Sequence, residues 1–129
     1  MFTHIMVGSN DIARSQKFYN ATFQALDIPP SEIHENGRLS YAHHGVRFMV
    51  TKPLDGQPAT HANGGTISFA APSPAHAAAW YKAGVENGGT AIENPPGIRQ
   101  TPIGPLYLAY LRDPDGNKKC VACKMPENI

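Results

Sequence analysis

The chain repeats one pattern of residues at an offset of 62 positions. When the second half is laid on the first, an apolar strand, a helix N-cap and an aromatic pair coincide. The matched positions are His4 with Thr66, Ile5 with Ile67, Asp11 with Ser73, Ala13 with Ala75, and Phe18-Tyr19 with Trp80-Tyr81. Self-similarity at a fixed offset is typical of a duplicated structural unit. The sequence therefore predicts two copies of one module.

Each half predicts the order strand, helix, strands. The helices carry apolar residues at helical spacing, and a polar segment without periodicity separates the two halves. The apolar positions are Ile12, Tyr19, Phe23 and Leu26 in the first helix, and Ala77, Trp80, Tyr81, Gly84 and Val85 in the second. We expect one domain over residues 1–129, with module one at about 1–52, a linker at about 53–64 and module two at about 65–126.

The stretch Asp113-Pro114-Asp115-Gly116 predicts a tight turn, because proline presets φ and glycine tolerates positive φ. The flanking segments 106–111 and 118–124 then form a hairpin, in which alternate side chains face a common interior. Cys120 is expected at an inward position. Cys120 and Cys123 form a C-x-x-C pair, but three positions on a strand point the two thiols to opposite faces, which disfavours a redox motif.

Charge and hydropathy disfavour nucleic acids and membranes as partners of this chain. The 11 basic and 10 acidic residues nearly balance, so no basic surface indicates a nucleic acid or an anionic membrane. No apolar run is long enough to span a bilayer, and the amino terminus does not resemble a signal peptide. We expect a cytoplasmic protein that binds a small molecule, without nucleic acid or membrane partners.

The duplicated module resembles the vicinal oxygen chelate superfamily, which includes glyoxalase I, extradiol dioxygenases and bleomycin-resistance proteins. The resemblance covers nearly the whole chain and is most specific in the second half. Its motifs are His4 on the first strand, Gly65-Thr66-Ile67-Ser68-Phe69-Ala70, Gly88-Gly89-Thr90, Pro95-Pro96-Gly97-Ile98-Arg99, and Asp113-Pro114-Asp115-Gly116-Asn117. The resemblance implies an α+β fold of two tandem βαβββ modules, whose curled mixed sheet surrounds a cup, and a homodimer.

Metal-binding members of that family take ligands from the first and last strands of each module. Carried onto this sequence, those positions are His4 and Thr66 on the first strands and Met49 and Cys120 on the last strands. Only His4 is a common ligand of hard or borderline divalent ions. Three alternatives remain open: a divalent metal held by an altered ligand set, a soft ion such as Cu(I), or a metal-free cup. The metal-free cup is the favoured hypothesis, because Met and Cys are also ordinary core residues.

Other residues around the implied cup are candidates for function. Tyr107 shares strand parity with Ala109 and Leu111, and we expect it to face the cup and donate a hydrogen bond to a substrate oxygen. Arg99 is a candidate clamp for an anionic group. Cys120 is a candidate nucleophile if His4 lies within hydrogen-bond reach.

Two functions follow from the resemblance. One is a metal-free binding protein whose cup holds an aromatic or amphiphilic compound, with Thr66, Met49 and Arg99 as ligand contacts. The other is a glyoxalase-like lyase, isomerase, dioxygenase or thiol transferase acting on a small oxygenated substrate. In the enzyme, His4, Tyr107 and Cys120 are the catalytic candidates, and His4 is the metal-ligand candidate. The resemblance implies no particular substrate.

Overall fold

We describe residues 1–127 from a computed structural model, and these residues form two α-helices and eight β-strands. The elements are β1 (His4–Gly8), α1 (Ile12–Gln24), β2 (Leu39–His43), β3 (Val46–Thr51), β4 (Ile67–Ala70), α2 (Pro74–Glu86), β5 (Thr90–Ala91), β6 (Gly97–Thr101), β7 (Gly104–Arg112) and β8 (Lys118–Lys124). This order confirms the predicted α+β class.

Both helices begin at the predicted N-caps. The Asp11 side chain accepts a hydrogen bond from the backbone N–H of Arg14, and Ser73 accepts one from His76. The first helix buries Ile12, Tyr19 and Phe23 as predicted. Leu26, assigned to the same stripe, is buried but lies beyond the end of α1 at Gln24. On the second helix Trp80 is buried, whereas Val85, assigned to the same stripe, is 47% exposed. No helix within residues 1–127 has both the length and the apolar character required to cross a bilayer.

The strands form two sheets rather than one curled sheet. The first sheet has the order β1-β3-β2, and the second has the order β4-β8-β7-β5, with β6 also paired to β7. In both modules the first strand runs parallel to the last, so that Met6 lies opposite Met49 and Ser68 opposite Cys120. Met6 and Ser68 are related by the offset of 62, which supports the duplication. The combined sheet is not closed, because β1 and β4 are separate edges.

A shared core joins the two sheets on the side that the helices cover. The Phe48 ring on β3 lies 5.3 Å from the Phe69 ring on β4, and the Phe23 ring of α1 lies 5.0 Å from Phe69. The faces that carry these rings therefore look toward a common interior. The opposite faces, which carry Met49 on one sheet and Cys120 on the other, point away from that interior.

The Asp-Pro-Asp-Gly turn anchors the first module to the second. The carboxylate of Asp113 is buried, accepts the backbone N–H groups of Asp115 and Asn117, and accepts the Tyr19 hydroxyl at 2.5 Å. Asn117 in turn donates to the Gly8 carbonyl at the end of β1. The turn predicted from sequence thus also fixes how α1 and β1 sit on the second sheet.

Candidate ligand-binding site

An open groove of about 620 Å³ lies between the first sheet and the edge of β4. Its floor is aromatic and is formed by Phe23, Tyr41, Phe48 and Phe69. The groove is accessible because, among the strands of residues 1–127, β4 pairs only with β8 and its other edge has no neighbouring strand. An apolar concave surface of this size is suited to a small organic molecule.

The polar groups of the groove are concentrated at one rim. His43 and His44 lie at the β2–β3 hairpin tip with their ring centroids 3.8 Å apart, and Arg47 follows on β3. His44 adopts φ 50° and Gly45 φ 81°, the left-handed backbone that this two-residue turn requires. The turn therefore places both imidazoles beside the groove. Both rings are exposed.

The electrostatic character of the groove is neutral to positive. Among the described residues, none that lines it is Asp or Glu. Arg47 donates from Nη1 to the Ser40 hydroxyl at 3.0 Å and is otherwise exposed. Desolvation, and then the neighbouring His44, lower the pKa of His43. Arg47 is the nearest fixed positive charge at the rim. Its side chain leaves β3 on the outward face, where it bonds Ser40, so it reaches the groove only when that hydrogen bond is released.

A second open cavity of about 650 Å³ lies beside the start of α1 and the linker. Its walls include Asn10, Arg38, Lys52 and the exposed Leu54. Among the described residues it has no aromatic side chain in its walls, and half of the residues that line it are polar. We therefore regard the groove between the sheets as the better candidate for an organic ligand.

The four positions implied as metal ligands do not converge within one chain. His4 and Met49 lie on the outward face of the first sheet, where the His4 ring is hydrogen-bonded to Thr3 at 3.0 Å. Thr66 precedes β4 and Cys120 lies on the outward face of the second sheet. Within residues 1–127 there is no group of three or more His, Cys, Asp or Glu that could hold a metal ion. One chain therefore does not fit the ligand set of a divalent ion.

Cys120 was predicted to face the interior of the hairpin. Its side chain lies on the face of the second sheet that points away from the helices. Its neighbours there are Ser68 on β4 and Tyr110 on β7. Burial raises the pKa of the Cys120 thiol, and the hydroxyls of Ser68 and Tyr110 offset this only in part. Because the thiolate is the nucleophilic form, Cys120 is not activated at neutral pH in this environment. Tyr110 was not selected from the sequence, although its pairing with Cys120 follows from the hairpin register.

The expectation that Tyr107 faces the cup is wrong. Tyr107 lies opposite Cys123 and packs against the core on the helix-covered side, together with Ala109 and Leu111. Strand parity correctly grouped Tyr107 with Ala109 and Leu111. The assignment failed because that group faces the helices, and Tyr110 occupies the other face.

Arg99 is engaged by backbone groups. Its guanidinium donates to the carbonyls of Gly97 and Leu108 at 2.9 and 2.8 Å, and to those of Asn94 and Pro95 at 3.0 Å each. Four acceptors fix the side chain and close the loop that precedes β6. This geometry indicates a structural role, and Arg99 does not line the groove.

These features define a class: an α+β protein of two related modules, with an apolar groove between its sheets. A family model described as the Glyoxalase/Bleomycin resistance protein/Dioxygenase superfamily matches residues 1–121. The chain belongs to this superfamily. A glyoxalase/bleomycin resistance protein from Albidiferax ferrireducens T118 is similar, with 50% identity, a TM-score of 0.93, and coverage of 96% of this chain and 99% of that one.

More distant structures share the fold. A glyoxalase/bleomycin resistance protein/dioxygenase family enzyme from Burkholderia phytofirmans PsJN is 13% identical, with a TM-score of 0.72 and coverage of 95% of this chain and 98% of that chain. A glyoxalase-related enzyme from Fulvimarina pelagi is 18% identical, with a TM-score of 0.70 and coverage of 96% and 88%. No curated protein matches the chain in sequence. The family is thus established on the sequence match and the similar structure at 50% identity.

Proposed function

We propose that this protein binds a small amphiphilic compound in the groove between its sheets and does so without a metal ion. The observation that carries the proposal is the combination of an aromatic floor with a rim that contains Arg47 and lacks carboxylates. The ligand class that fits is an apolar chain or ring with one anionic head group. The apolar part lies on Phe48 and Phe69. The head group lies at the rim, where the Arg47 side chain must leave Ser40 to reach it.

The magnitude of the apolar contribution is sufficient for measurable binding. Burial of one methylene is worth about 0.8 kcal/mol, so a chain with seven buried methylenes contributes about 5–6 kcal/mol before the cost of immobilisation. An ion pair at the exposed Arg47 adds about 1 kcal/mol or less. We therefore expect dissociation constants in the high micromolar to millimolar range for a simple probe. The natural ligand then requires additional polar contacts.

The family supports this class of function. The similar protein from Albidiferax ferrireducens carries the description glyoxalase/bleomycin resistance protein, and we extend a binding function of that general type to this chain. Both cysteines are free and buried thiols. Free thiols are typical of a reducing compartment, which supports our proposal that the protein acts in the cytoplasm.

We also propose a homodimer in which a second copy covers the outward faces of the sheets. Within the described part of the chain, β1 and β4 each have one edge without a neighbouring strand, and the apolar side chain of Met6 on the first outward face is 38% exposed. Unpaired strand edges and exposed apolar side chains are features that association removes.

The dimer also defines a second candidate function, that of a metal-dependent enzyme of the glyoxalase type. The supporting observation is that the two outward faces have the same strand pairing. Met6 lies opposite Met49 on the first sheet, and Ser68 lies opposite Cys120 at the equivalent place on the second. In such a dimer the outward face of the first sheet in one copy packs on the outward face of the second sheet in the other copy. This packing brings His4 and Met49 toward Thr66 and Cys120. Metal analysis of untagged protein and its His4→Ala variant tests this candidate. Stoichiometric metal that the variant loses would favour the enzyme.

Titration calorimetry with three probes of equal chain length tests the binding function. We expect decanoate to bind more tightly than decanol, and decanol more tightly than decyltrimethylammonium, because the rim carries Arg47 and no carboxylate. Equal binding of all three would contradict the head-group assignment but retain the apolar site. Absence of binding for every probe would contradict the proposed function.

A matched pair of valine variants tests whether decanoate binds in the groove. Val46 lines the groove, and Val46→Trp is expected to weaken decanoate binding at least about fivefold by occupying it. Val85 is exposed on α2 outside the groove, and Val85→Trp should leave the affinity unchanged. Equal effects of the two substitutions would show that decanoate binds elsewhere. Circular dichroism establishes that both variants fold.

A further inference from the structure

Lys119 on β8 is a buried lysine without a hydrogen-bond partner. The residue is 1% exposed, and within residues 1–127 its Nζ lacks any acceptor at hydrogen-bond distance. The nearest aromatic group is Phe48, whose ring centroid lies 4.9 Å from Nζ. A cation–π contact replaces only part of the hydration that an ammonium group loses on burial.

This environment favours the neutral amine. Burial lowers the pKa of Lys119 to about 8, although the negative charge of Asp113 acts in the opposite direction. Asp113 itself is engaged by Tyr19 and by its own turn. A lysine that is desolvated in an apolar site is a competent nucleophile near neutral pH, because a larger fraction carries a free lone pair.

Lys119 also lines a smaller cavity, which adjoins the groove and shares the wall residue Ile67 with it. This cavity has a volume of about 250 Å³ and lies at the gap between β1 and β4. Val7 and Ile67 form apolar walls, whereas Thr66 is exposed at its margin. The volume suits a molecule of a few heavy atoms, smaller than the amphiphile proposed for the groove.

We propose that this cavity admits a small aldehyde and that Nζ of Lys119 forms an imine with it. The lone pair of the neutral amine attacks the carbonyl carbon and a carbon–nitrogen bond forms. The carbonyl oxygen departs as water and carries away both hydrogens of the amine, which leaves a carbon–nitrogen double bond. The reaction needs neither an oxidant nor a reductant. It goes beyond the binding function and uses no residue of the groove floor except the contact with Phe48.

Lys82 provides an internal reference, because its side chain is 80% exposed. At pH 7 a lysine with a pKa of about 8 has a neutral fraction roughly 300 times that of a lysine at its ordinary value of 10.5. Lower intrinsic basicity and restricted access reduce this advantage. We expect an advantage in rate of at least about tenfold for Lys119.

The experiment treats the full chain with propanal and sodium cyanoborohydride at pH 7 and follows each lysine by peptide mass mapping. Cyanoborohydride delivers a hydride to the imine and fixes it as a secondary amine. We expect Lys119 to be propylated at least about tenfold faster than Lys82. Labelling of Lys119 at the rate of Lys82 or more slowly would overturn the proposal.

Two threonine variants test whether the aldehyde enters through the cavity. Thr66→Phe places a ring at the cavity margin and should slow the labelling of Lys119 at least about fivefold, without an effect on Lys82. Thr90→Phe changes an exposed threonine of β5 that does not line the cavity and should have no effect. If Lys119 is labelled equally fast in Thr66→Phe and the unmodified chain, the proposed site is overturned. Both parent residues are exposed, so both variants are expected to fold, and circular dichroism checks this.

Discussion

Replacement of the buried Lys119 by methionine should stabilise the protein at neutral pH. The pKa of Lys119 falls from 10.5 to about 8 on folding, and each pK difference of one corresponds to about 1.4 kcal/mol. Burial of the charged form therefore costs about 3 kcal/mol at pH 7. Methionine has a similar length and no charge. After allowance for the lost contact with Phe48, we expect the Lys119→Met variant to gain about 2 kcal/mol in the free energy of unfolding.

The difference in the pKa of Lys119 between the folded and unfolded chain also makes the free energy of unfolding depend on pH. Between pH 8 and 10.5 the unfolded chain binds the proton of Lys119 more strongly than the folded chain, so the stability of the unmodified protein rises with pH. From pH 7 to pH 9 the rise amounts to about 1 kcal/mol. The advantage of Lys119→Met should shrink by the same amount. Taking the difference between the two proteins removes titrations that they share, such as that of Cys120.

Urea unfolding of both proteins at pH 7 and pH 9 provides the measurement. Lys82→Met is the control, because its exposed side chain should change stability by less than about 0.5 kcal/mol at either pH. A Lys119→Met variant that is less stable than the unmodified protein at pH 7 would refute the reasoning. An advantage that does not change between pH 7 and pH 9 would refute the assignment of the pKa.

Three further substitutions test the contacts that hold the fold. Tyr19→Phe removes the 2.5 Å hydrogen bond to the buried Asp113 carboxylate and should reduce the free energy of unfolding by about 1.5–3 kcal/mol in urea titration; a loss below about 0.5 kcal/mol would contradict the account. Gly84→Ala introduces a Cβ that meets Leu111 Cδ1 between α2 and β7, and should cost about 1–3 kcal/mol in the same assay. Arg99→Met removes four hydrogen bonds to backbone carbonyls and should accelerate amide exchange in the loop before β6 while decanoate affinity stays unchanged; weaker decanoate binding would assign Arg99 to the site after all.

The duplication and the helix-facing core could be predicted from sequence because both rest on local periodicity. Tyr19, Phe23 and Leu26 follow helical spacing and are almost fully buried. The Asp-Pro-Asp-Gly turn was predicted because proline and glycine act on backbone angles directly. Its role in anchoring α1 depends on partners about 100 residues away, and no local signal reports such contacts.

Strand β7 shows why it was harder to predict which face of a sheet a side chain occupies than where the strand lies. Leu108 and Ala109 are adjacent and both buried, so β7 is covered on both faces and its sequence does not alternate clearly. Parity groups Tyr107 with Ala109, but it does not say which group faces the helices. The choice of Tyr107 over Tyr110 therefore had no physical basis within the strand itself.

The groove and the buried lysine could not be predicted for a related reason. The groove arises where Phe48 of the first module approaches Phe69 of the second, and the sequence does not fix the placement of one module on the other. Lys118 and Lys119 are consecutive lysines and resemble an exposed pair. Burial of Lys119 depends on the packing of Phe48 from the first module against the face of β8 that carries the lysine.

The most direct test of the binding function is the location of bound decanoate by nuclear Overhauser effects in metal-free protein. We expect contacts from the alkyl chain to the rings of Phe48 and Phe69. Contacts to the methyl groups of Met6 and Met49 on the outward face, with none to the two phenylalanine rings, would contradict this expectation. Those contacts would place the ligand in the cup between two copies of the chain.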